Sequence, residues 1–165
     1  TAQSNLASTY YELGRFEDAL RMRKDVYSGL VKLHGEQTVY TLVAANNYAY
    51  NLLILQHFDE ARSLLRKTIP VAQRVLGEGH DNTLMQRWNY ARALYRDTGA
   101  SLDDLREAVT TLEDIQRIAR RVFGGAHPLT TVVGHDLRQA REGLRAREAT
   151  QPSSSAAGSG LILSN

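Results

Sequence analysis

The sequence predicts an all-α repeat protein, a solenoid of antiparallel helix pairs. Two observations carry that expectation. The chain repeats itself: Asn5-Leu6-Ala7 through Phe16-Glu17-Asp18-Ala19 returns 42 residues later as Asn47-Tyr48-Ala49 through Phe58-Asp59-Glu60-Ala61. And apolar residues within each copy recur at three- and four-residue spacing, with no segment alternating at strand period. One helix pair cannot bury its own apolar face, whereas stacked pairs bury a continuous core.

Each element follows in order. The first copy reads as helices near 2–13 and 16–34, parted by Gly14. The second reads as 38–55, carried by Val39, Leu42, Ala45, Tyr48, Ala49, Leu52 and Leu55, and 58–76, carried by Phe58, Ala61, Leu64, Leu65, Ile69, Ala72, Val75 and Leu76. The third begins at Asn89-Tyr90-Ala91 within a helix over 81–98. Its second half, Leu105-Arg106-Glu107-Ala108, arrives late, so five residues are inserted near Thr98–Asp104 before a helix over 103–123. A final helix spans 128–148. Gly35, Gly77 and Gly124 follow the second helices, where a left-handed residue ends a helix at little cost. Thr41, Thr83 and Thr130 lie near helix starts and are placed to bond exposed amides. The array is therefore 1–148, with repeats at about 1–37, 38–79 and 80–126 and a last helix at 127–148. Residues 149–165, rich in Ser and Gly, read as a flexible tail.

Composition excludes several classes. At 165 residues the chain is one domain's worth, with 42% hydrophobic and 23% charged residues. It has no cysteine, so disulfides, thiolate metal sites and cysteine nucleophiles are out. A net charge of +2 argues for no general nucleic-acid or membrane partner. Ser101 to Glu148 carries eight basic and eight acidic residues, which is no phosphate-tracking stripe. No run approaches the roughly 18 apolar residues of a membrane span, and no signal peptide is visible. A cytoplasmic protein is the expectation that follows. His34, His57, His80, His127 and His135 show no helical metal spacing, and His80 and His127 occupy equivalent joints. No catalytic motif is present, so neither enzyme, metal nor cofactor is expected.

Paired helices with a small residue in the first (Ala7, Ala49, Ala91) and an acidic-Ala pair in the second (Ala19, Ala61, Ala108) resemble tetratricopeptide repeats. Their usual period is about 34 residues. The period of 42, with Asn-x-Ala and the joint Gly124-Gly125-Ala126-His127-Pro128-Leu129-Thr130, is similar to the longer kinesin-light-chain type. The chain departs from it at Glu36–Tyr40, which lacks His-Pro, at the insertion, and at Arg138. The resemblance implies a right-handed α-solenoid of about three repeats plus a terminal capping helix. It also implies that the first helices line the concave face. The C-terminal helix has a polar outer side, with Arg138, Arg141, Glu142, Arg145, Arg147 and Glu148, while Thr1 enters a helix directly. A longer repeat chain with upstream repeats is the expectation.

Alignment on Ala7, Ala49 and Ala91 then assigns Ser4, Asn5, Ser8, Tyr11 and Glu12 to the groove. It adds Asn46, Asn47, Tyr50, Leu53 and Ile54, then Trp88, Asn89, Arg92, Tyr95 and Arg96, then His135, Asp136 and Gln139. The column Asn5, Asn47, Asn89, ending in Asp136, is the most informative feature. An amide pairs with both N–H and C=O, so a ladder of amides suits a peptide backbone. The same amides also suit bonds between neighbouring helices. Trp88, Tyr95 and Tyr50 with Arg92 and Arg96 form a second cluster of the residue types enriched at binding hot spots. The two arginines, four apart, share a helix face and suit a carboxylate, or else pair with an Asp of the chain. The functional expectation is a non-catalytic module that binds a peptide or partner protein on the concave face. The alternative is a structural spacer or self-assembly segment of a larger protein.

Overall fold

The computed structural model describes residues 13–150. Six helices are seen among them: α1 (Phe16–His34), α2 (Val39–Ile54), α3 (Phe58–Leu76), α4 (Asp81–Tyr95), α5 (Leu102–Phe123) and α6 (Pro128–Thr150). Residues 1–12, with nearly all of the expected helix over 2–13, and tail residues 151–165 lie outside the described residues, while residues 149 and 150, expected in the tail, continue α6. Helix α4 stops at Tyr95, short of 98, and the chain turns through Ala100, which is buried.

Consecutive helices pack against one another throughout. In addition α2 touches α4 and α4 touches α6, while α1, α3 and α5 stay apart from each other. First helices thus crowd together on one side and second helices splay on the other. That difference curves the stack, with α2, α4 and α6 on its inner face. The small residues explain the close approach: Ala49 and Ala91 in the first helices, and Ala19, Ala61 and Ala108 in the second, have no exposed surface. Leu65, Leu84, Leu94, Leu112, Ile115 and Val133 fill the space around them.

Helix ends follow a repeated plan. Thr38, His80 and His127 occupy the same place in three joints. The Thr38 hydroxyl accepts from the Thr41 amide at 3.2 Å. The His80 Nδ1 accepts from the Asn82 amide at 3.1 Å and the His127 Nδ1 from Leu129 at 3.2 Å. Threonine therefore replaces histidine as the cap in the joint that lacks the histidine. The threonines at helix starts act otherwise than expected. Thr41 and Thr130 donate to the carbonyls of Gly35 and Gly124, at 2.8 and 3.0 Å, rather than accept from amides. Those glycines have the expected positive φ, but ψ is extended, a conformation open essentially to glycine alone. Ser101 and Asp104 close a reciprocal capping box on α5, which starts one residue earlier than expected.

Candidate functional site

The inner face brings most of the expected residues together around one carboxylate. Asp136, on α6, is 5% exposed. It accepts the Trp88 indole N–H at 2.8 Å. The Arg92 Nε lies 3.8 Å from it and an Arg96 terminal nitrogen 4.0 Å. The exposed His135 ring stands 3.5 Å away. Register places this cluster: Trp88, Arg92, Tyr95 and Arg96 recur at helical spacing along α4, facing α6.

Arg92 is the buried centre of the site. Its guanidinium lies 4.9 Å from the Trp88 ring centre and 5.7 Å from that of Tyr50 on α2, so it sits against both aromatic surfaces. It donates to the Asn89 side-chain oxygen at 3.4 Å. Its Nε is buried and lacks a hydrogen-bond partner among the described residues. Burial first, then the charge of Arg96, lowers its pKa below the usual arginine value, while Asp136 opposes the shift. The group is still a cation at neutral pH. Arg96 is more open, with 41% of its side chain exposed. It lies over the Tyr95 ring and donates to the Tyr95 hydroxyl, which reaches Gln139 on α6 at 3.3 Å. Burial raises the Tyr95 pKa.

The asparagine column divides. Asn5 lies outside the described residues. Asn89 has no exposed surface and donates to Asn46 at 2.9 Å, tying α4 to α2. The amide pair is thus a bond between neighbouring helices, and Asn89 meets no solvent. Asn47 is half-buried beside Arg23 and Val26 of α1. Leu53, assigned to the groove, is instead buried against Tyr48 and Ala61 in the core. Ser4, Ser8, Tyr11 and Glu12 lie outside the described residues. What faces solvent is Arg96, His135 and Gln139, with parts of Tyr50, Trp88 and Tyr95.

Three polar residues escaped the sequence reading. Gln86 is fully buried and links three helices. It accepts from Thr68 at 2.7 Å and donates to the Leu42 carbonyl at 3.1 Å and to Asn82 at 2.9 Å. Asn51 is 1% exposed, and neither end of its amide has a hydrogen-bond partner among the described residues. Arg87 stands between α3 and α5, 3.4 Å from Glu78 and 3.6 Å from Asp114. One signal was available: other copies carry small or apolar residues at the matching positions, Ala44 and Val133 for Gln86, Ala45 and Gly134 for Arg87, and, for Asn51, Ala93 and Ala140 in the two later copies, though the first copy has Thr9.

Among the described residues no group of three His, Asp or Glu side chains could hold a metal ion. No helix there is long and apolar enough to cross a membrane.

This fold and this face define a helical-repeat scaffold with a charged, aromatic-lined inner surface. The family model described as tetratricopeptide repeat matches residues 1–72. The fold is similar to the TPR-like repeats of a Podosopora anserina protein assigned as a kinesin light chain. That likeness has a TM-score of 0.74 and 21% identity over 92% of this chain and 76% of that one. A single-substitution variant of the same protein gives 0.75 and 20% over the same shares. BtubC (BKLC) from P. vanneervenii gives 0.65 and 16% over 99% of this chain and 69% of that one. No curated protein matches. Residues 1–72 thus match the tetratricopeptide-repeat model, and the α-solenoid of the chain is kinesin-light-chain-like in fold. Tetratricopeptide repeats are generally protein-interaction modules without catalytic activity.

Proposed function

We propose that the inner face of α2, α4 and α6 binds an extended segment of a partner protein and seats an acidic residue of it against Arg96. The observation that carries this reading is the local charge. Two guanidinium groups, Arg92 and Arg96, share the single carboxylate of Asp136, and both contacts are long. Arg96 keeps hydrogen-bonding capacity toward solvent beside the half-exposed rings of Tyr95 and Trp88. We extend the reading to Asn47, half-buried beside Arg23 and Val26, whose amide suits the backbone of the same segment. Asn89 and Asn46 act behind the surface, holding α4 against α2.

A pull-down from the source lysate with wild type beside an Asn47→Ala/Arg96→Glu variant tests the reading, with a thermal melt of both. A partner lost by a variant that still melts like wild type supports it. A partner retained at full yield by that variant sinks it.

A further inference from the structure

We propose a second binding surface on the outer face, the cleft between α3 and α5, and infer that it takes an extended acidic segment of a partner protein. The surface is distinct from the inner face. Two cavities lie there, of about 310 and 370 Å³, and share Arg87 in their linings. Both are within the size range of ligand sites. The repeat does not explain them. The matching crevice between α1 and α3, lined by Tyr27, Glu36, Lys67 and Val71, holds only about 10 Å³. The long Arg87 side chain stands where the preceding repeat has the buried Ala45.

Pro70 supplies an independent reason. It lies inside α3 and lines the first cavity. It has no N–H, so the Arg66 carbonyl one turn earlier lacks its usual helical donor. The neighbouring repeats carry Ser28 and Arg117 at this position, so the proline is particular to the cleft. A peptide N–H is the donor the carbonyl lacks. Beside it, Ile69 and Pro70 give an apolar floor. Tyr90 and Glu107 are already joined at 2.8 Å along one wall.

Charge sets the direction of the occupant. At the second cavity Arg87, Arg117 and Arg121 face Glu78 and Asp114. Arg87 draws on both carboxylates and Arg117 on Asp114, which leaves Arg121 without an ion pair among the described residues. An acidic side chain at that end supplies the missing charge. Backbone N–H groups then lie along Pro70.

The test uses the full chain with ¹³C-labelled isoleucine methyls, titrated with a ten-residue peptide of alternating glutamate and threonine. Ile69 reports on the first cavity and Ile118 on the second. Both are expected to shift. Arg121→Glu and Pro70→Ala, the latter a restored helical N–H that leaves the fold intact, are each expected to weaken binding at least fivefold, and Arg96→Glu to leave it unchanged. Silent Ile69 and Ile118 methyls, equal affinity in both cleft variants, or no binding of this peptide overturns the proposal. Binding abolished by Arg96→Glu alone assigns the peptide to the inner face and also overturns it.

Discussion

Trp88 donates its indole N–H to Asp136 at 2.8 Å, across 48 residues of chain and from one repeat to the next. That bond holds the carboxylate under Arg92 and Arg96, so the charge of the inner face rests on one buried acid. Removing the charge leaves Arg92 a buried cation without its counter-ion. Asp136→Asn is expected to cost about 2–3 kcal/mol. Urea unfolding followed by the fluorescence of the single tryptophan measures it. A loss under about 0.5 kcal/mol, the scale of an ordinary surface substitution, shows that Asp136 does not hold the cluster.

Gln86 ties α4 to α2 and α3 through a fully buried amide. Gln86→Leu strands the Thr68 hydroxyl and the Asn82 amide without water to replace the lost partner. The expected cost is roughly 2–4 kcal/mol, read as a lower midpoint in denaturant. An unchanged midpoint assigns the network no share in stability.

Asn51 presents the opposite case. Its amide is buried and unpaired among the described residues, and the two following copies carry Ala93 and Ala140 at the same place. Leucine has nearly the same volume and no polar atoms to leave unsatisfied. Asn51→Leu is expected to raise stability by about 1 kcal/mol, seen as a higher melting temperature. A destabilised variant shows instead that the amide serves a partner.

The capping box on α5 gives a pH dependence with a definite sign. The hydroxyl of Ser101, then its backbone N–H, holds the Asp104 carboxyl below the usual aspartate range. The folded state therefore releases this proton more readily than the unfolded chain. The stabilisation is full above the ordinary aspartate pKa and is lost as pH falls through the folded value, below about pH 4. Asp104→Asn is expected to destabilise by about 1 kcal/mol at pH 7 and by clearly less at pH 3. The comparison is made by urea unfolding of both proteins at the two values. An equal difference at both shows that the charge is not what the cap uses.

Much of the fold was legible because it is local or periodic. The 42-residue offset, the helical spacing of apolar residues and the small residues at Ala19, Ala49, Ala61, Ala91 and Ala108 are properties of single copies. Any copy that folds as a helix pair must bury the same stripe, so comparing copies reveals it. The grouping of Trp88, Arg92, Tyr95 and Arg96 was legible for the same reason, since residues three and four apart share a helix face.

The partners of those side chains were another matter. Asn89 belongs to the same column as Asn47, yet it is sealed against Asn46 while Asn47 stays half-open. Asp136 occupies the column's last place, but the sequence does not tell a ligand-facing acid from one that serves two arginines of the chain. By itself the sequence determined the helices among the described residues, their pairing and the residue types they carry, while the inner face was an expectation from resemblance. Only the tertiary structure decided which polar groups spend their hydrogen bonds inside the protein and which keep them for a partner. The physical reason is distance between copies. Periodicity fixes the direction of a side chain on its own helix, whereas burial and pairing depend on how closely the next helix approaches, a distance set by packing over the whole stack.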